Sequence, residues 1–283
     1  MIKNDRIKFG LRLFFRNKGA VVGLIIMLIW ILIAIFTDYI APYDPYARVA
    51  KARTAPSAEF IMGTDAIGRD VFTRILYGSR TSLILGLISV AFSSVVGTIL
   101  GLLSGFYNST SIDTIIMRFM DALLAFPGML LALIIIAALG PSIQNVMIAV
   151  GISSVPQFAR LTRASVLSVK ESTYIDAARI VGSTDTRIIF KHIFPNIVSS
   201  LIVLATLQIG NAILVGAGLS FLGMGSQPPS PEWGLSTSQG REFLKKAWWI
   251  STYPGMAILT VVMSANLIGD GLRSALDPRM KFE

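Results

Sequence analysis

The sequence predicts an all-α integral membrane protein with six transmembrane helices and a cytosolic two-helix loop. Three observations carry that prediction. The 283 residues are 53% hydrophobic and only 14% charged, with a mean hydropathy of +0.68, whereas an ordinary soluble domain is about 45–50% apolar and about 25% charged. Uncharged runs recur at lengths near the roughly 20 residues that a helix needs to cross a hydrocarbon core about 30 Å thick. The charged residues collect between those runs.

A basic tail, residues 1–18, precedes a first span at 19–37. A secretory signal would begin in the same way. Asp38, Tyr39 and Ile40, however, stand where a small-x-small cleavage site is needed, and the apolar stretch exceeds a usual signal core, so this span reads as a retained anchor. An extracytoplasmic segment, 38–80, follows, with Pro42, Pro45 and Pro56 and with Asp38, Asp44, Glu59, Asp65 and Asp70 among its basic residues. It should be structured without crossing, and the plain reading is a spacer that returns the chain to the bilayer. A second span covers about 81–106. No charge occurs from Ala122 to Ala159, but Gly140-Pro141-Ser142 divides that run into spans at 122–139 and 143–159. After a long connection at 160–195 come spans at about 196–222 and 253–269, then a tail at 273–283.

Six crossings place both termini on one side of the membrane. The segments on that side carry 16 Lys and Arg in 80 residues, against 9 in 76 on the other, so both termini are expected in the cytosol. The net charge of +9 is therefore topological, and no compact basic and aromatic face suggests nucleic acid. The absence of cysteine excludes disulfides, thiolate metal sites and cysteine nucleophiles. No Gly-x4-Gly-Lys-Ser/Thr loop occurs, so if ATP drives this protein, another chain must bind it.

The connection at 160–195 carries the most information. Thr173 with Asp176 three residues on resembles a capping box. Tyr174, Ala177, Ala178 and Val181 then share one face of a short helix, and Gly182 is suited to end it in the left-handed conformation. Ser183 or Thr184 can cap a second helix that Pro195 stops. The two alanines would let another surface approach closely, while Tyr174 and Val181 offer apolar area. Spacing alone fits equally a knob for a partner's groove and an amphipathic segment lying on the bilayer.

The run Asp176-Ala-Ala178, three residues, Gly182, nine residues, then His192-Ile-Phe-Pro195 resembles the Glu-Ala-Ala loop of type I permease subunits of ABC importers. Asp176 replaces the usual glutamate, with the same charge and a shorter reach, and His192 and Phe194 replace Ile and Leu. Met62 to Arg74, Gly218 to Gly225, Pro231 to Gly234 and Gly269 to Arg279 are similar to blocks of the C-type permease in the dipeptide, oligopeptide and nickel branch. The resemblance runs from about residue 10 to the C-terminus and makes 81–272 the ABC type I transmembrane domain. It implies a bacterial inner-membrane permease for di- or oligopeptides, or alternatively for nickel or metal chelates. The implied partners are a homologous second permease, two ATPase subunits that hold ATP and magnesium, and an extracytoplasmic solute-binding protein. Tyr174, Asp176, Ala177, Ala178, Val181, Gly182 and Pro195 would couple this chain to the ATPases, and 38–80 would help form the outer mouth.

Other residues admit plainer roles. Gly97, Gly101 and Gly105 form two overlapping small-x3-small steps suited to close helix packing. Gln208 and Asn211 lie inside a span, where polar groups are costly, and so face another helix or the transport pathway. His192, the only histidine, lacks the neighbours a metal site needs. No catalytic residue is expected: a membrane hydrolase would lack its equipment. An ion-coupled secondary transporter would ordinarily hold ionisable groups at mid-membrane, and none of the six spans has a central one.

Overall fold

The computed structural model describes residues 10–276. Lys3, Arg6 and Lys8 of the basic tail, and Pro278 and Arg279 of the last motif, lie outside the described residues. The named helices are α1 (Lys18–Ile40), α2 (Val71–Phe106), α3 (Ser111–Leu124), α4 (Gly128–Leu139), α5 (Ile143–Lys170), α6 (Thr173–Ile180), α7 (Asp185–Arg187), α8 (Phe194–Phe221), α9 (Trp233–Gly240) and α10 (Trp249–Leu276). A π-helical turn, Ile188–Ile193, joins α7 to α8. The bundle has a distal end, formed by 41–70 and 223–248, and a proximal end that holds α6.

By length and apolarity, four helical stretches among the described residues can cross a bilayer: α1, α2, the continuous helix 185–221 and α10. A fifth crossing results if α3 and α4 together make one. The expected count of six is not reached on that measure, for two physical reasons. The run expected to cross at 122–139 is broken: α3 and α4 meet at a 93° bend, where Pro127, at the N-cap of α4, can donate no N–H. Helix α5 carries Gln144, Asn145, Ser153, Ser154 and Gln157, which dilute its apolar character. Its 28 residues nevertheless extend about 42 Å.

Helix α5 lies parallel to α2 along the glycine stripe. A β-carbon on Gly97 would come 2.5 Å from the Phe158 Cβ; on Gly101, 2.5 Å from the Thr162 Cβ; and on Gly105, 2.7 Å from the Val166 Cβ. Only hydrogen at these three positions lets the backbones approach so closely. At the proximal end Arg163 grips Asp113 with two 2.8 Å bonds, and Ser104 and the Ser109 N–H also donate to that carboxylate, tying α2, α3 and α5 together.

The distal end is built on buried charge. Helix α2 starts at Val71, ten residues before the apolar run, capped by the Asp70 carboxylate. Arg74 can sit inside this helix because its guanidinium donates to the carbonyls of Pro45, Pro229 and Ser230. Arg69 pairs with Asp65 at 2.6 Å, and all three side chains are buried. Burial of these charges is tolerable because they are paired and hydrogen-bonded. Segment 41–70 is thereby tied to the connection after α8. Within that connection Glu232 caps α9, accepting from the Gly234 and Leu235 N–H groups at 2.8 Å each. Trp233 is fully buried and donates to the Ile75 carbonyl.

Candidate coupling site and polar wall

Helix α5 does not end at the expected membrane edge near 159 but runs to Lys170, whose ammonium donates to the Phe106 carbonyl at 2.6 Å. Packing on the proximal half of α2 sustains these extra turns. The loop proper is therefore only 171–184, and α6 is its one helix. Its N-cap is Ser172 rather than Thr173, with no side-chain bond, so the capping box expected from Thr173 and Asp176 does not form.

The end of α6 follows from glycine chemistry. Gly182 has φ +80°. Its N–H donates to the Arg179 carbonyl at 2.9 Å and the Ser183 N–H to Ala178 at 3.0 Å, which are the paired bonds of a Schellman cap. Thr184 then caps α7 through the Arg187 N–H at 3.4 Å. The expectation that Pro195 ends this second helix is not met. The chain widens into the π turn, in which the Phe194 N–H reaches back to Ile189, and continues into α8. Pro195 falls in the first turn of α8, where a missing N–H costs little. Asn196 donates to the His192 carbonyl at 2.6 Å and to the Tyr174 hydroxyl at 3.2 Å, joining α6 to the foot of α8.

The loop is anchored on one side and bare on the other. Ile175, Ile188 and Ile193 are fully buried in the main apolar cluster with Phe158 and Ile197. Tyr174, Asp176, Ala177 and Val181 are exposed and Ala178 is half-buried. Ile180 and Val181 are 86% and 85% exposed. Phe190, on the π turn, is also exposed but lines an apolar groove with Val95, Ile99 and Leu103 of α2. Sequence reasoning missed Ile180 on this bare face, and Ile175 beneath it. Ile175 is one of two apolar residues of α6 outside the Tyr174, Ala177, Ala178 and Val181 face; the other, Ile180, is exposed, so spacing did not mark which of them is buried. Asp176 approaches only Arg179, at 4.0 Å on the open surface, a contact of little energetic weight.

The two spanning polar residues part company. Gln208 is buried, and its amide nitrogen donates to the Gln157 side-chain oxygen on α5, a residue not singled out in the sequence. Asn211 is exposed one turn away on α8. One turn below Gln157, Arg160 pairs with Asp121 at 2.6 Å, with both side chains more than half exposed.

Residues 97–282 match the family described as binding-protein-dependent transport system inner membrane component, and residues 10–56 match the N-terminal TM domain of oligopeptide transport permease C. The di/tripeptide transport system permease protein DppC of Pseudomonas aeruginosa (strain UCBPP-PA14) is 44% identical over 275 residues, covering 95% of this chain and 90% of that protein. The dipeptide transport system permease protein DppC of Alkalihalophilus pseudofirmus is 49% identical over 268 residues, covering 94% and 88%. Among solved structures, the inward-facing MetNI methionine ABC transporter matches with a TM-score of 0.61 at 18% identity, over 72% of this chain and 97% of that one. This last likeness is one of fold.

Proposed function

The chain belongs to the family of binding-protein-dependent transport system inner membrane components, and on that premise we propose that it is a permease subunit of an ATP-driven peptide importer. The curated relatives named above are dipeptide and di/tripeptide permeases. In this reading the chain lies in a bacterial inner membrane with both termini in the cytosol, and its proximal end faces the cytosol. The bent α3–α4 pair and the polar α5 complete six crossings. Its partners are a homologous permease, two ATPase subunits and an extracytoplasmic binding protein. ATP and magnesium are held by the ATPases, and this subunit makes and breaks no bonds.

The observation that carries the proposal is the bare apolar knob of Tyr174, Ile180 and Val181 on a chain segment anchored at both ends. From Asp185 the helix runs 37 residues without a break to Phe221, about 55 Å. A push on the knob therefore reaches the distal end along a single rod. There Gly216 lies against Leu85, and Ala217 lies under Gly234 of α9. Helix α5 enters the knob from the other side, so two packed helices share the displacement. Packed cores respond to such shifts by moving as bodies rather than by deforming.

Reconstitution of the complete complex into liposomes tests the assignment. ATP-dependent uptake of a labelled dipeptide, requiring the binding protein, is the expected result. Uptake of nickel ions without uptake of peptide would reject it.

A further inference from the structure

We infer that the Gln157–Gln208 amide pair is a backbone-reading contact for the peptide in transit, an inference that rests on the importer assignment and deepens it. Both residues lie midway along their 28-residue helices. The Gln208 nitrogen donates to the Gln157 oxygen, and among the described residues the Gln157 nitrogen and the Gln208 oxygen have no other hydrogen-bond partner. The pair thus keeps one amide nitrogen and one carbonyl oxygen wholly unpartnered. Exchanging oxygen and nitrogen in both amides leaves one of each free again, so the conclusion does not depend on amide orientation. A peptide unit presents the complementary set, one N–H and one C=O. A neutral amide pair can engage that unit whatever side chains flank it, which suits cargo of varied sequence.

The surroundings favour a wet corridor over lipid or a dry contact. Gln157, Arg160 and Leu161 share a face of α5. Arg160 and Asp121 hold their ion pair in the open on that face. Leu161 borders a cleft of about 440 Å³ that runs toward the proximal end between α5, α8 and α10, where Ser199, Ser200 and Arg273 stand among the aliphatic Val203, Leu204, Leu207 and Leu276. Leu204 lies one turn below Gln208, and Asn211 is exposed one turn above it. Amides, hydroxyls and a guanidinium therefore recur among the aliphatic residues down one side of the subunit, whereas α1 exposes only apolar side chains from Val22 to Phe36. Polar groups at such depth ordinarily face a bundle interior or a water-filled cavity.

The chain has no cysteine, which permits a direct test in the reconstituted complex. Gln157→Cys and, on the lipid-facing side, Ile25→Cys are each exposed during ATP turnover to a tripeptide whose central cysteine is activated as a 2-thiopyridyl disulfide. Exchange at position 157 but not at 25, with release of pyridine-2-thione, is the expected result. Exchange absent at 157 in a complex that still transports the tripeptide would overturn the inference and leave the importer assignment intact. So would oxidative cross-linking of Gln157→Cys to the second permease, which would place the pair at a subunit interface. A wild-type complex that takes up no peptide would instead fail the assignment itself. As a second readout, Gln157→Leu and Gln208→Leu should each lower the uptake rate about five- to tenfold, as expected for one lost hydrogen bond. The double variant should be no worse than either single one, and independent, multiplying losses would count against a pair acting as a unit.

Discussion

Gly101 of α2 lies so close to Thr162 of α5 that a β-carbon on the glycine would sit 2.5 Å from the threonine Cβ and 2.5 Å from the Ala159 carbonyl oxygen. Neither neighbour can yield, because one is backbone and the other sits at the root of a buried side chain. Gly101→Leu should therefore cost about 1–3 kcal/mol through overpacking, read as a lower melting temperature of the purified complex. Gly255→Ala, with no atom within 4 Å of the new methyl, should be neutral or slightly stabilising.

Gly182 presents the opposite case. Nothing lies within 4 Å of a β-carbon there, but φ is +80°, so a substitution meets only backbone strain. Gly182→Val should cost about 1–2 kcal/mol and Gly182→Asn less, since asparagine tolerates the left-handed region. The ratio of binding-protein-stimulated to basal ATPase activity should fall in the order Gly, Asn, Val as the cap of α6 loosens.

Arg163→Leu would leave the Asp113 carboxylate, 8% exposed, without its cation. The expected loss is about 2 kcal/mol, below the about 3–5 kcal/mol of a fully buried broken pair, because Arg163 is itself partly exposed. Arg163→Leu combined with Asp113→Asn should recover part of the melting temperature. A double variant less stable than the single one would show that Asp113 does not depend on Arg163.

Burial pushes the Glu232 carboxyl up from the ordinary glutamate range, with the Gly234 and Leu235 N–H bonds acting in the opposite direction. A raised folded-state value means that this residue's contribution is complete below the unfolded value of about 4.3 and is lost as pH rises through the folded value. The melting temperature of Glu232→Gln relative to wild type should therefore improve as pH rises from the unfolded-state value through the raised folded-state one. A difference that stays flat or reverses would mean that the two N–H bonds, rather than burial, set the protonation of Glu232.

Apolar runs were enough to find α1, α8 and α10, since hydropathy is a local property. They misplaced what depends on distant partners. The start of α2 was hidden because Arg74 and Arg80 read as loop charges, whereas Arg74 is buried on carbonyls from 45, 229 and 230 and Arg80 reaches Asp38 and the Ala34 carbonyl. Helix α9 escaped notice because its stability rests on the Glu232 cap and on Trp233 filling a site beside Gly78. The face of α6 and its glycine stop were legible in the spacing of Tyr174, Ala177, Ala178, Val181 and Gly182. The continuation through Pro195 was not, because a π turn has no compositional mark. Gln157 drew no notice because mixed polar and apolar residues on α5 have meaning only once α2 and α8 are beside it.

The most direct measurement concerns the knob. Val181→Cys, fully available on the bare face, and Ile175→Cys, buried beneath it, are each combined with a cysteine on the proposed ATPase partner, and disulfide formation is followed with and without ATP. The account predicts a cross-link at 181 whose yield changes with nucleotide, and none at 175. An intact complex in which position 181 fails to cross-link in every nucleotide state would contradict it.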